Sequence, residues 1–201
     1  KARHVRCVHL EEDAGKSLHA STRGGDGHSH LDFNRSGVPL VEIVTHPDLR
    51  SAAEASDSFA RLRAILLAVG ANDGSMEEGS LRCDANVSVR PAGQSEFGIK
   101  VEIKNVNSFR FLARAIEYEV TRQTVRCVAG ERVVQESRQW DATLGRTVSM
   151  RSKEEAHDYR YFPEPDLPPV DVTDEWIAEV RASLPELPEV RKQRLIRDYA
   201  L

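Results

Sequence analysis

Several common signatures are missing from this chain. No apolar run approaches the ~20 residues that a membrane-spanning helix requires, which argues against a membrane role. Cysteine is scarce: Cys7, Cys83 and Cys127 are an odd number, widely separated, with no C-x-x-C pair. That excludes a disulfide framework and a cysteine-based zinc knuckle, and it fits a reducing, cytoplasmic compartment. There is no G-x-x-x-x-G-K-[ST] phosphate loop and no G-x-S-x-G nucleophile elbow, so two familiar routes to phosphate binding and acyl transfer are absent. Positive charge is not in surplus either. With 28 Lys+Arg against 32 Asp+Glu the formal charge is −4, so the chain is no general nucleic-acid coat and any such contact is expected to be local.

What is present is a soluble globular composition, 40% hydrophobic and 30% charged over 201 residues. That is enough for one large domain, or one domain and a fragment of a second. Arg outnumbers Lys by 22 to 6, which suits forked recognition of phosphate or carboxylate. The chain opens at Lys1, inside a segment with strand character, so it reads as a piece of something longer.

Residues 3–10 mix β-branched and polar residues and predict a strand, which runs into Glu11-Glu12-Asp13. Residues 14–30, rich in Gly, Ser and His, predict a mobile loop, and residues 38–45 a second, apolar strand. Ser51 and Glu54 form a capping box for a helix with Phe59, Leu62, Leu66 and Val69 as its buried stripe and Gly70 as its stop. Leu81 to Val89 then alternates apolar and polar, and the alternation resumes at Phe97, Ile99, Val101 and Ile103 after Pro91-Ala92-Gly93. Two period-2 runs with a short turn predict an antiparallel hairpin with one buried face. Asn107 or Ser108 caps a second helix ending near Gly130, followed by strands over 132–140 and 146–151. Four prolines in 162–169 exclude helix, Thr173 caps a short helix around Trp176, and a last helix starts near Glu189. Hairpins alternating with helices give an α+β class with mainly antiparallel sheet.

The chemistry is expected on the hairpin's polar face. Registers that keep the apolar residues together set Asp84 opposite Glu102 or Lys104, with Asn86 beside them. Opposed carboxylates repel unless a cation compensates. Lys100, Lys104 and Arg82 can do so as a solvated mixed-charge face; the alternative is a divalent metal or a phosphate resting there, and Asp, Glu and Asn oxygens suit Mg²⁺. Glu77-Glu78 before the hairpin and Glu11-Glu12-Asp13 at the first strand's end add acidic groups of the kind found in nucleotide–Mg²⁺ sites. His9 is a ligand, a base or a partly buried strand histidine; His28 and His30 read as solvated. Cys83 falls on the apolar parity and reads as core.

The stretches HLEEDAGK from His9, DFNRSGVPLVEIVTHPDLRS from Asp32, MEEGSLRCDANVSVR from Met76, EIKNVNSF from Glu102 and MRSKEEAHDYRYFPEPDLPP from Met150 together resemble the B subunit of the tRNA-dependent amidotransferases. The resemblance covers nearly all of residues 3–170. It implies a glutamine synthetase/guanido kinase-like core of β-α-β-β-α units. Residues 1–170 would be the catalytic cradle domain without its leading segment, which in the family carries a Glu-x-His motif, and 171–201 a linker and the start of a helical domain. The implied activity is ATP-dependent conversion of misacylated Glu-tRNA(Gln) or Asp-tRNA(Asn) to the amide. It runs through an acyl phosphate attacked by ammonia from a partner amidase, the A subunit, with a small C subunit completing a heterotrimer. ATP and Mg²⁺ are the implied cofactors. Glu11, Glu12, Glu78, Asp84 and Glu102 would hold metal. Arg82, Lys104 and Lys16 would hold phosphate, with Arg82 and Lys104 as the catalytic cations, and Arg160 would contact nucleotide or acceptor end. Two other readings stay open: a non-catalytic assembly module of that complex, and a carboxylate–amine ligase acting on a small acid.

Overall fold

The structure, a computed structural model, describes residues 4–14, 16–19, 29–150 and 169–200. The chain divides into two compact units, Lys1–Leu49 and Arg50–Leu201.

In the first unit, β1 (Val5–Glu12) pairs antiparallel with β4 (Pro39–Thr45), setting His9 against Glu42 and Glu11 against Leu40. Between them, β2 (Lys16–His19) pairs antiparallel with β3 (Ser29–Asp32). This corrects the mobile loop expected over 14–30. The Gly and Ser residues that argued against regular structure cluster in 20–28, outside the described residues, while the flanking tetrapeptides are short enough to pair with each other. The β1–β4 ribbon has two unlike faces. Val8, Leu10 and Val41 share one of them, and Leu10 is 84% exposed.

The second unit starts with α1 (Ala52–Ala68), where Ser51 caps as expected but Glu54 reaches one residue further back than a capping box, to Arg50. Ser51 Oγ accepts from the Glu54 N–H at 3.1 Å, and Glu54 Oε2 accepts from the Arg50 N–H at 2.7 Å. Gly70 stops the helix at φ +71°, a conformation glycine adopts without steric cost. A four-stranded sheet follows in the order β5 (Cys83–Val87), β6 (Val101–Val106), β7 (Ser137–Asp141), β8 (Arg146–Ser149). The helix α2 (Phe109–Val128), capped by Ser108, connects β6 to β7. A helical crossover delivers β7 parallel to β6, so the sheet is mixed, with the β5–β6 and β7–β8 pairs antiparallel.

α2 covers one sheet face, where Val101, Ile103 and Ala115 are fully buried and Leu112 and Trp140 nearly so, and α1 packs against α2. Phe59 of α1 meets Phe109 of α2 with ring centroids 5.0 Å apart. Each such side chain contributes about 1.5–3 kcal/mol by burial. The hairpin ladder is shorter than its alternation suggests. Phe97 and Ile99 lie outside β6 and are about half exposed, because the chain leaves the sheet between Val87 and Val101. Likewise, regular pairing between β7 and β8 begins only at Arg138, opposite Ser149.

Two further helices, α3 (Asp174–Ser183) and α4 (Pro188–Tyr199), fall in this unit; Thr173 caps α3 by accepting from the Trp176 N–H at 3.2 Å. Arg61 of α1 reaches Glu189 of α4 at 3.6 Å. Among the described residues, no helix is long and apolar enough to cross a membrane.

Candidate functional site

On the polar face of the β5–β6 hairpin, the ladder pairs Asn86 with Glu102, and a bulge between Cys83 and Ala85 shifts the register beside Asp84. Lys104 ends up between two carboxylates. Its Nζ lies 3.2 Å from Asp84 Oδ2 and 3.3 Å from Glu102 Oε1. Partial burial disfavours the charged ammonium, but Asp84 and then Glu102 outweigh that and hold the Lys104 pKa above its usual value. Lys104 is thus the compensating cation that two acids on one sheet face require. Glu102 is gripped from the other side as well: Ser137, its partner in the parallel β6–β7 ladder, donates its hydroxyl to Oε2 at 2.7 Å.

The turn before β5 carries the acidic pair. Asn72 Nδ2 donates to the Ser80 carbonyl, Ser80 Oγ donates to Asp73 Oδ2, and Ser75 Oγ accepts from the Glu78 N–H at 3.2 Å. These short side-chain bonds fix the backbone of 72–80 and leave Glu77 and Glu78 exposed. Among the described residues, no hydrogen bond or ion pair joins Glu78 to Asp84 or Glu102. Arg82 is exposed, immediately ahead of β5.

In the first unit the alternation of β1 puts His9 and Glu11 on one face, and the antiparallel register brings Glu42 to them. His9 Nδ1 lies 3.0 Å from Glu42 Oε2, and one ligand atom from each of the three residues falls within 4.8 Å of the others. Two carboxylates and one imidazole, all solvent-accessible, offer a mixed oxygen and nitrogen donor set for a divalent cation. Glu12, next along the strand, turns to the opposite face of the ribbon from Glu11, so the two acids do not act as a pair on one surface. His9 is exposed, not a partly buried strand histidine.

Glu42 is the addition that sequence reading missed. It lies in an apolar strand, PLVEIVT, and a single charge in such a run was the available signal. A second group also escaped notice. Glu119 is fully buried on α2, bonded by Arg122, Gln123 and Thr147, with Arg138 3.7 Å away. It occupies the same helical stripe as Leu112, Ile116 and Gln123, so a charge at a core position marked it. Every partner is internal, so this network builds the sheet–helix interface. Burial pushes the Cys83 thiol up to about 12, which keeps it protonated and inert, as its apolar parity implied. His30 is exposed. His28, Arg160 and the prolines of 163–168 lie outside the described residues, as does the side chain of Lys16.

Residues 1–178 match the family model described as the GatB/GatE catalytic domain. Curated relatives named as the B subunit of aspartyl/glutamyl-tRNA(Asn/Gln) amidotransferase include those of Thermodesulfovibrio yellowstonii, Roseiflexus castenholzii and an Anaeromyxobacter species. The first is 56% identical over 98% of this chain, the second 60% over 96%, and the third 60% over 100%. The chain spans 41%, 39% and 41% of their respective lengths.

Proposed function

Because the chain belongs to the GatB/GatE catalytic-domain family, we infer that it is the catalytic part of an amidotransferase B subunit, with a glutamine synthetase-like core. Its reaction is the ATP-dependent transamidation of misacylated Glu-tRNA(Gln) or Asp-tRNA(Asn), for use in protein synthesis. The observation that carries this reading is identity of 56–60% along essentially the whole chain to relatives bearing that name. The partners are an amidase, the A subunit, which supplies ammonia from glutamine, and a small C subunit.

The side-chain carboxylate of the aminoacyl group attacks the γ-phosphorus of ATP with departure of ADP, and ammonia then attacks the acyl carbon of the acyl phosphate, expelling phosphate and losing a proton to give the amide. The reacting groups are both anionic, so catalysis needs fixed cations and positioned metal ligands. A bound Mg²⁺ would screen phosphate charge. His9, Glu11 and Glu42 would hold such an ion within the first unit, and, separately, Glu78, Asp84 and Glu102 are proposed ligands within the second; Glu12 is proposed from the family resemblance alone. Lys104, held between Asp84 and Glu102, is the cation proposed to turn its ammonium to a phosphate oxygen. Arg82 supplies a second cation, and Lys16 and Arg160 are proposed from the resemblance as further phosphate or acceptor-end contacts.

The test is ATP cleavage by the assembled full-length enzyme, with Mg²⁺, in three arms: misacylated tRNA, free glutamate, and neither. Stimulation by misacylated tRNA alone is expected. Equal stimulation by free glutamate would identify a small-acid carboxylate–amine ligase instead, and no stimulation in any arm an assembly module.

A further inference from the structure

The turn that presents Glu77 and Glu78 is tethered from outside itself. Asn72 Oδ1 accepts from the Gly74 N–H at 2.7 Å, Asp73 Oδ1 accepts from the Ser75 N–H at 2.8 Å, and the Leu81 N–H closes the segment on the Ser75 carbonyl at 2.9 Å. Bonds of this kind set the shape of a turn, not its place. Placement against α1 comes from Arg63, whose Nε donates to the Gly74 carbonyl at 2.7 Å. Gly74 is buried, so its carbonyl needs a partner from within the fold, and a charged donor makes the stronger bond. The fit is close: at φ +69° Gly74 turns its backbone onto the Arg63 side chain, and a Cβ there would lie 2.7 Å from Nε. From this geometry we propose that Arg63 is a positioning residue for the ATP-dependent step, holding the Gly74 carbonyl and through it the turn that carries Glu78. The inference rests on the proposed role of Glu78 in that step.

Among the described residues Arg63 makes no ion pair with a carboxylate; its side chain bonds a main-chain carbonyl instead. An ion pair lets a long side chain slide between oxygens, whereas one N–H on one carbonyl fixes a single point of the backbone. Ser75, the next residue, carries the constraint forward, because its Oγ accepts from the Glu78 N–H at 3.2 Å. A displacement of about 1 Å at a reacting centre can lower a rate by roughly 10²-fold, so a tether remote from the chemistry is felt in it.

The experiment uses the full-length protein in its assembled enzyme and follows ATP cleavage with misacylated tRNA and Mg²⁺. Arg63→Met keeps the apolar stem and removes the donor, while Arg63→Lys keeps a charged donor able to reach the same carbonyl. Arg63→Met is expected to lower kcat about tenfold, within the range that misplacement brings, with glutamine hydrolysis by the partner subunit unchanged. Arg63→Lys should restore most of the rate. Gly74→Ala breaks the same contact from the other side and should match Arg63→Met; if Arg63→Met does not assemble, Gly74→Ala against Arg63→Lys decides in the same way. Gly98→Ala, which perturbs this unit at the Val89 carbonyl instead, is the control for simple loss of stability and should keep the wild-type kcat below its melting temperature. A wild-type rate in Arg63→Met, or an equal loss in Gly98→Ala, overturns the role of Arg63. Glu78→Gln separates the two readings. If it loses ATP cleavage while Arg63→Met does not, Arg63 alone is refuted; if Glu78→Gln cleaves ATP normally, the assignment of Glu78 falls, and the inference with it.

Discussion

The carboxylate of Glu119, wholly buried on α2, accepts a hydrogen bond from the Thr147 hydroxyl on β8 at 3.0 Å. The same hydroxyl accepts from Arg138 Nε at 2.9 Å, and Arg122 Nη2 donates to the other Glu119 oxygen at 2.6 Å. One buried acid thereby joins the helix to the far strand of the sheet. Glu119→Ala would take from Arg122 its close carboxylate partner and leave it Glu136 at 3.6 Å, while Arg138 keeps Glu136 at 2.7 Å; breaking a buried pair from one side costs about 3–5 kcal/mol. Chemical denaturation of the variant should show a loss of that size.

The neighbouring acid sets a pH response. Burial pushes the Glu136 pKa up, but donation from Ser149 and the charges of Arg138 and Arg122 outweigh it, leaving the pKa below the ordinary 4.5. A group depressed in the folded state contributes stability that is complete above its unfolded value and lost as pH falls through the folded one. Melting temperature should therefore fall below pH 4.5, and Glu136→Gln should melt lower at neutral pH with a shallower acid decline. An unchanged acid limb in the variant would remove Glu136 from this account.

Backbone approach constrains Gly98. A Cβ there would collide with the Val89 carbonyl oxygen, and Val89 is itself tied to α2 through its N–H, which donates to Gln123 Oε1 at 3.2 Å. Gly98→Ala must spread these segments, at a cost of about 1–3 kcal/mol. Its melting curve, compared with wild type, measures that penalty.

For the chemistry, Glu78→Gln in the assembled enzyme should abolish carboxylate phosphorylation with misacylated tRNA while glutamine hydrolysis by the partner continues. Phosphorylation at the wild-type rate would end the assignment of Glu78 as a ligand.

Local patterns made much of this chain legible. Ser51, Ser108 and Thr173 cap their helices as their side chains and positions dictate, because capping is decided within one turn. The alternation through Cys83–Val87 and Val101–Ile103 fixed which residues face the core, since a one-residue slip would expose Val101 and Ile103, both wholly buried here. The long strings from His9, Asp32, Met76, Glu102 and Met150 needed no folding argument to reveal the family.

Tertiary structure decided whatever depends on partners distant in sequence. Glu42 meets His9 only through the β1–β4 register, Ser137, 35 positions along the chain, reaches Glu102 only through a parallel crossover, and Lys104 takes its place between two acids only beside a bulge. The mixed sheet and the buried Glu119 network belong to the same class. Periodicity reports which face a side chain occupies; pairing, which sets what it touches, follows from burying those faces together and is written in no single segment.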